Sequence, residues 1–136
     1  MNEGAARDTV AIDEEVHDIY KRLTDGNDPV GVPFRTMKYV FMWAASLGYQ
    51  KGERRPLLGK RVTIFRWAQF SPQVDIPLLK AFAVADTGGV EALLNQVDIL
   101  TVAEEFANSG IRELQATMLD DYGQPLWNLI SRTSSF

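Results

Sequence analysis

The sequence predicts a mainly α fold: a single compact domain of five or six helices, with a small β-hairpin after the second helix. Three observations favour this class. Apolar residues recur at helical spacing through most of the chain, turns rich in Gly, Pro and Asn separate these stretches, and only one short segment alternates as a strand does. The 136 residues suit one domain. We expect residues 1–10 to form a disordered tail and residues 11–136 a single helical domain.

The first helix is predicted from Asp13 to Leu23. Its apolar positions follow the i, i+3, i+4, i+7 spacing of one buried face. They are Val16, Ile19, Tyr20 and Leu23. The first turn is acidic and the last turn is basic, an arrangement that complements the helix dipole. The turn-forming segment 24–29 then ends the helix.

The second helix is predicted from Arg35 to Leu47, with Gly48 as its C-terminal stop. This segment is apolar nearly all round, which is typical of the central helix of a domain. Ala44 and Ala45 are small enough to let a neighbouring helix approach closely. We therefore expect this helix to be the one around which the others pack.

The N-terminus of this second helix carries two cations, Arg35 and Lys38, in its first turn. The helix dipole disfavours cations there by about 0.3–1 kcal/mol each. Together with the free N–H groups of the first turn, the two side chains could bind an anion such as a phosphate. The alternative is that both side chains extend into water or pair with the acidic segments of the chain.

A strand is predicted from Val62 to Trp67, where β-branched residues alternate with polar and aromatic ones. Leu57 and Leu58 lie just before a Gly59-Lys60 turn. These two leucines are therefore the predicted other arm of the hairpin.

Four further helical segments and a short C-terminal piece complete the prediction. They are Ile76 to Ala85, Val90 to Asn95, Val97 to Ala107, Ile111 to Leu119, and the piece that contains Leu126, Trp127, Leu129 and Ile130. Asn108, Ser109 and Gly110 are predicted to break the helix between two of these segments, because Asn and Gly readily adopt left-handed backbone conformations.

Charge is unevenly distributed along the chain. Residues 35–66 contain eight of the 14 basic residues and one of the 18 acidic residues, although the whole chain carries a net charge of −4. Such a concentration predicts a surface that faces anions. We call residues 49–67 the basic belt. The candidate nucleic-acid or partner-binding residues are Arg35, Lys38, Lys51, Arg54, Arg55, Lys60, Arg61, Arg66 and Trp67.

Several kinds of chemistry are absent from the sequence. The chain has no Cys and one His, His17, so the common zinc sites and a Ser-His-acid triad are not expected. Gly59-Lys60 lacks the remaining residues of a phosphate-binding loop, and no dinucleotide fingerprint is present. No catalytic residue, metal or cofactor is predicted. The longest apolar run, Tyr39 to Ala45, is shorter than the roughly 18 residues of a membrane span, and a cytoplasmic protein is expected.

The carboxylates form two adjacent pairs, Glu104-Glu105 and Asp120-Asp121. Neighbouring side chains on a helix diverge by about 100°, so they do not share a site, and we expect solvated helix faces. A metal-dependent nuclease that uses scattered carboxylates and Mg²⁺ is the third functional hypothesis, behind two that concern the belt.

The basic belt has three interpretations as a binding surface. Tyr49, Phe65 and Trp67 lie among its arginines, a combination that nucleic-acid surfaces use for backbone charge and base stacking. The same rings could instead be core residues of the hairpin. The belt could also bind a larger partner protein, or pair with the acidic flanks of another copy and form a homo-oligomer.

Four stretches of the sequence resemble a known family. They are Phe34 to Tyr49, Gly52 to Leu57, Phe65 to Phe70 and Ala103 to Leu114. Together they resemble the fourth of the dnd-system-associated proteins, small bacterial proteins encoded beside the genes for DNA phosphorothioation and its cognate restriction. The likeness spans about residues 14–131.

The resemblance implies a cytoplasmic accessory factor of a DNA modification and phage-defence system, and it carries over no catalytic residue. The leading hypothesis is therefore a non-enzymatic accessory protein that binds DNA, a defence-system protein or both through the basic belt. The homo-oligomer is the alternative. No membrane partner is expected.

Overall fold

The computed structural model describes residues 8–25, 34–89 and 95–120. Within those ranges the chain forms two β-strands and four α-helices. In chain order they are β1 (Thr9–Asp13), α1 (Glu14–Leu23), α2 (Met37–Lys51), β2 (Arg61–Arg66), α3 (Asp75–Thr87) and α4 (Gln96–Gln115). A 3₁₀ turn, Trp67–Gln69, follows β2, and a π-helical turn, Ala116–Asp120, extends α4. The mainly helical class is confirmed.

The predicted count of five or six helices is not matched by the four in the described ranges. Two predicted helices are one, because α4 runs without interruption through residues 108–110. The predicted break at that point is wrong. Residues 90–94 and 121–136, where the sequence predicts two further short helical pieces, lie outside the described residues.

The close packing of α2 against α4 explains why Gly110 lies inside a helix. A Cβ atom at Gly110 would lie 1.7 Å from the carbonyl oxygen of Ala44, and one at Gly48 would lie 1.9 Å from that of Phe106. The two helices therefore cross with backbone against backbone. The predicted close approach at Ala44 is confirmed.

The same crossing corrects the predicted end of α2. The helix continues through Gly48 and ends at Lys51, where Gly52 adopts the left-handed conformation with φ 70° that terminates helices. Its start is also later than predicted, because Thr36 is the N-cap and its hydroxyl accepts a hydrogen bond from the Tyr39 N–H. Arg35 therefore precedes the helix.

The sheet has a different partner from the predicted one. β2 pairs antiparallel with β1, with Val10 opposite Phe65 and Ile12 opposite Val62. The predicted arm at Leu57-Leu58 is wrong, because these residues lie in a loop and Leu58 is 89% exposed. Pairing with β1 instead buries Val10 and Ile12. Thr9 and Val10 therefore belong to the sheet rather than to the predicted tail, of which residues 1–7 lie outside the described ranges.

The core lies between α4, α2 and the sheet. α1 begins one residue later than predicted and buries the predicted apolar face of Val16, Ile19, Tyr20 and Leu23. The predicted third helix is confirmed as α3, which buries Leu79 and Phe82. Phe65 of β2 packs edge-on against Phe41 of α2, with ring centroids 5.6 Å apart. This arrangement fixes β2 to the helices and leaves the loop before it on the surface.

Candidate functional site

The basic belt begins at the end of α2, crosses the loop 52–60 and follows β2. α4 holds the middle of this loop in place. The Arg55 N–H donates to the Glu105 carbonyl at 3.0 Å, and the Asn108 amide Nδ2 donates to the carbonyls of Arg55 and Pro56 at 3.1 and 3.2 Å. A loop without regular hydrogen bonding of its own is thus attached to the central helix.

Buried Asp13, the N-cap residue of α1, holds the other end of the loop. Its two carboxylate oxygens accept from the Gly59 N–H and from Asn108 Nδ2, both at 3.2 Å. Beside it, the Glu14 N–H donates to the Lys60 carbonyl at 2.8 Å. Asp13 and Asn108 thus join β1, α4 and the belt in one polar network. Removing either side chain would leave buried polar groups without partners. Such groups are costly, because they have lost water and gain no hydrogen bond in return.

Two candidate bases, one mostly buried and one half-buried, are held by carboxylates. Lys38 Nζ lies 2.9 Å from a carboxylate oxygen of buried Asp75. Arg54 Nε donates to Glu105 at 2.9 Å, and its Nη1 donates to Asp86. Burial alone would lower the pKa of the Arg54 guanidinium, but the two carboxylates outweigh this effect and raise it. Lys38 thus pairs with an acidic segment of the chain, the alternative that the sequence left open, and the anion site of Arg35 and Lys38 stays a prediction.

Four other bases extend from the surface and form longer ion pairs. Their amino or guanidinium nitrogens lie 3.8 Å (Lys60 to Glu14), 3.6 Å (Arg61 to Glu104), 3.8 Å (Arg66 to Asp8) and 3.1 Å (Lys51 to Glu53) from a carboxylate oxygen. The Lys60 and Arg66 side chains are 77% and 73% exposed. Exposed pairs contribute only about 0–1 kcal/mol, so Lys51, Lys60 and Arg66 remain able to bind another partner. Arg61 differs, because its partner Glu104 is buried.

Two candidate bases, Arg35 and Arg55, are exposed and have no carboxylate within ion-pair distance among the residues that the structure describes. Arg55 lies close enough to Glu53 to contribute to the lowered pKa of that carboxyl. The main causes of this shift are the hydrogen bonds that Lys51 and Ser109 donate to it. Arg55 is thus the base of the loop with the most freedom to meet a new anion.

The acidic partners of the belt come from both acidic flanks of the same chain. Apart from Glu53, which lies in the belt itself, they are Asp8 and Glu14 from the N-terminal side, and Asp86, Glu104, Glu105 and Glu113 from the C-terminal side. The charges that are separated along the sequence are therefore interleaved on the folded surface. Pairing between belt and flank occurs within one chain and does not require a second copy.

The three aromatic side chains of the belt pack against other rings. Phe65 is buried, and half-buried Trp67 lies edge-on to Phe70 with centroids 5.3 Å apart. Tyr49 stacks on Phe82 at 4.8 Å and keeps part of its surface exposed. The rings are therefore core or core-edge residues, and their faces are not arranged as a platform for nucleic-acid bases.

Glu104 is a buried carboxylate beneath the belt that sequence reasoning misses. It is buried, it accepts a hydrogen bond from the Ala11 N–H at 2.8 Å, and it faces Arg61. The expectation of a solvated Glu104-Glu105 face is wrong for Glu104. A signal exists in the i, i+4 spacing of Glu104 and Asn108, which places two polar residues on one buried helix face. It becomes readable only once residues 108–110 are known to be helical.

An open cleft of about 390 Å³ lies between the first turn of α1 and residues 55–60. Its lining mixes carboxylates (Glu14, Glu15) with bases (Arg55, Lys60). Over the described part of the chain, no group of three or more His, Asp or Glu side chains is arranged to hold a metal ion. Nor is any helix in these ranges long and apolar enough to cross a membrane.

The fold and this surface define a class: a small, mainly helical protein whose distinctive feature is an anchored loop and strand that expose basic side chains. A comparison with family models identifies it further. The model for DNA sulphur modification system-associated protein 4 matches residues 9–135, so the chain belongs to this family. The suspected resemblance is thereby confirmed, and the family implies association with a DNA sulphur modification system. No curated protein and no solved structure gives a significant match to the chain.

Proposed function

We propose that this protein is a non-enzymatic accessory factor of a DNA sulphur modification system, acting in phage defence, which docks a partner protein of that system. The docking face consists of the four exposed bases of the loop and β2: Arg55, Lys60, Arg61 and Arg66. The observation that carries the proposal is that this face is both firmly anchored and lightly paired. Asp13 and Asn108 fix the backbone of its loop, while the ion pairs of Lys60 and Arg66 are long and exposed.

The distribution of charge favours a protein partner. Carboxylates lie within 4 Å of three of the four bases of the docking face, so the surface alternates in sign over short distances. Protein surfaces of mixed charge can match such a pattern locally. A DNA duplex presents a long, continuous array of phosphates, and the net charge of −4 on the whole chain opposes its approach.

DNA is the second candidate, and one observation favours it. Arg55 has no carboxylate partner in the described ranges, and Lys60 and Arg66 are more than two-thirds exposed. These three side chains could turn away from their weak intramolecular pairs and contact phosphates along one strand. The net charge of −4 and the packed aromatic rings make this the weaker candidate.

The test uses a charge reversal limited to exposed bases, Arg55→Glu with Lys60→Glu and Arg66→Glu. Arg54 is left intact because it is held by two carboxylates. The matched control reverses the same amount of charge at exposed bases outside the belt, Lys21→Glu with Arg22→Glu and Lys80→Glu. Each purified protein of the same modification system is titrated with the wild type and with both variants.

We expect the belt variant to lose affinity for one system protein by about tenfold or more, and the control to retain it. Fluorescence anisotropy with plain and phosphorothioated duplex, at about 50 and 200 mM salt, measures the DNA alternative. Binding of duplex that weakens with salt and is lost in the belt variant would replace the protein partner with DNA. Equal binding of a system protein by belt variant and control would overturn the docking face.

A further inference from the structure

A hydrogen bond from β1 to the Glu104 side chain shows which backbone groups of β2 point away from the sheet. The Ala11 N–H donates to Glu104 Oε2 at 2.8 Å, so it points away from β2. Ala11 lies opposite Thr63 in the register. In an antiparallel pair of strands, two residues opposite each other either both direct their N–H and C=O groups toward the other strand or both direct them away from it. The N–H and C=O of Thr63 therefore point away from β1.

The same alternation applies along the strand. Arg61 lies opposite Asp13, two residues from the Ala11–Thr63 pair, so its N–H and C=O also face outward. The alternation predicts that the backbone groups of Lys60 face the other strand. The Glu14 N–H indeed donates to the Lys60 carbonyl at 2.8 Å. The N–H and C=O groups of Val62, which lies between Arg61 and Thr63, point toward β1.

The outer edge of β2 is open over a short length. Beyond the bulge between Val10 and Ala11, the N–H of Arg66 also points outward, and it donates a hydrogen bond to Gln69 Oε1 at 3.1 Å. Across the described ranges, no group pairs with the N–H of Arg61 or Thr63. Both residues are exposed. Among the described residues, the N–H and C=O groups of Arg61 and Thr63 are thus left as two donors and two acceptors for a further strand.

The side chains around this edge select the charge of such a strand. Lys60 and Arg66 are mostly exposed and lie at the two ends of the open stretch, with Arg61 between them. A second copy pairing through its own β2 would bring a second set of the same basic side chains to this edge, which is unfavourable. An incoming strand with acidic side chains would meet the opposite charge.

We infer that the partner of the docking face contributes an extended acidic segment, which adds to the open edge of β2 as a third strand. Main-chain hydrogen bonds to Arg61 and Thr63 provide the attachment, and Lys60, Arg61 and Arg66 provide the preference for acidic residues. This inference rests on the proposed function and names the chemistry of its partner. It requires no rearrangement of the loop, because Asp13 already holds the loop against α1.

The first test follows amide hydrogen exchange by NMR on the full chain while a probe is added. The probe is a short acetylated and amidated peptide in which Glu alternates with Val, and its matched control replaces each Glu with Lys. We expect the Glu peptide to slow exchange at the amides of Arg61 and Thr63. The amide of Val62, which faces β1, should not change.

The second test removes the donor without removing the fold. Thr63→Pro eliminates an N–H that β1 does not use, a position at which an edge strand tolerates proline. Thr63→Ala is the matched control, because it also loses the threonine side chain but keeps the N–H. We expect Thr63→Pro to weaken Glu-peptide binding about tenfold and Thr63→Ala to bind as the wild type does. If Thr63→Pro fails to fold, the exchange pattern of the wild type decides.

Two results would overturn the inference. One is binding of the Glu peptide without slowed exchange at Arg61 and Thr63, and the other is equal binding of the Glu and Lys peptides. Neither result affects the docking face, which the titration of system proteins with the charge-reversal variant tests separately. If the belt variant and the control bind the system proteins equally while the Glu peptide still adds to the edge of β2, the proposed function alone is refuted.

Discussion

The α2–α4 crossing and the basic belt are both built on α4, yet they tolerate change differently. At the crossing, Gly48 and Gly110 place backbone against backbone, so one added methyl group has no space. In the belt, α4 holds the loop through the hydrogen bonds of Asn108, while the basic side chains extend into water. One helix therefore provides the tightest packing of the fold and the platform of its exposed surface. Variants at the crossing should change stability, and variants in the belt should change binding.

The largest expected effect breaks the crossing. Gly110→Ala would place a Cβ atom 1.7 Å from the Ala44 carbonyl oxygen, so the two helices would have to separate. We expect a loss of about 3 kcal/mol or more in the free energy of unfolding, measured by chemical denaturation. Gly59→Ala is the control, because its Cβ would meet its nearest atom at an ordinary 3.7 Å. A Gly110→Ala protein as stable as the control would refute backbone contact at the crossing.

The next largest effect is expected from a variant that removes the hydrogen bonds between α4 and the loop of the belt. Asn108→Asp replaces the donor to Asp13 and to the carbonyls of Arg55 and Pro56 with an acceptor. We expect a loss of about 2–3 kcal/mol and faster tryptic cleavage after Arg54 and Lys60. Because the new carboxyl would lie beside that of Asp13, protonation should relieve part of the loss, and the difference from wild type should shrink as pH falls. Unchanged cleavage would show that Asn108 does not hold the loop.

A smaller effect concerns Tyr20, which is buried and interacts with Glu104. In the part of the chain that the structure describes, its hydroxyl has no hydrogen-bond partner. Tyr20→Phe removes a buried polar group without a partner, so we expect a gain of about 1 kcal/mol near neutral pH, measured by thermal and chemical denaturation.

The same variant gives a pH dependence of defined sign. Burial, and to a lesser extent Glu104, raises the pKa of Tyr20 above its ordinary value of 10.0. The folded state thus keeps its proton at alkaline pH where the unfolded state releases it. This contribution to stability is fully present below pH 10 and is lost as the pH rises further, by about 1.4 kcal/mol per pH unit. Tyr20→Phe should lack this decline. Parallel alkaline profiles for the two proteins would contradict a buried, protonated Tyr20.

The smallest effect on stability is expected in the belt. The charge reversal of Arg55, Lys60 and Arg66 should change the free energy of unfolding by about 0.5 kcal/mol or less, because these side chains are exposed and their ion pairs are long. Circular dichroism and denaturation of the variant check this, and binding of the partner is measured on the same sample. A large loss of stability would mean that the belt is part of the fold's support, and the comparison with the crossing would fail.

Several features of the fold could be predicted from local pattern alone. The apolar spacing of α1 and the acidic and basic ends of that helix predict its bounds to within one residue. The apolar surface of α2 predicts a central helix, and the β-branched alternation predicts β2. The family resemblance also follows from the sequence, and the family match over residues 9–135 confirms it.

The tertiary structure alone decided the rest, because the deciding partners are distant in sequence. Gly48 and Gly110 read locally as helix ends, and only the contact between α2 and α4 shows why they lie inside helices. β2 found its partner in β1 rather than in the adjacent leucines, because that pairing buries Val10 and Ile12.

The binding surface shows the same division. The sequence by itself determined that the bases are concentrated in residues 35–66, and it predicted a surface that faces anions. The tertiary structure decided which bases are held by carboxylates, such as Arg54, and which remain exposed, such as Arg55 and Lys60. Helical periodicity is set by contacts three and four residues apart, so it can be read along the chain. Charge pairing depends on which side chains folding brings within a few ångströms, and no local pattern records that distance.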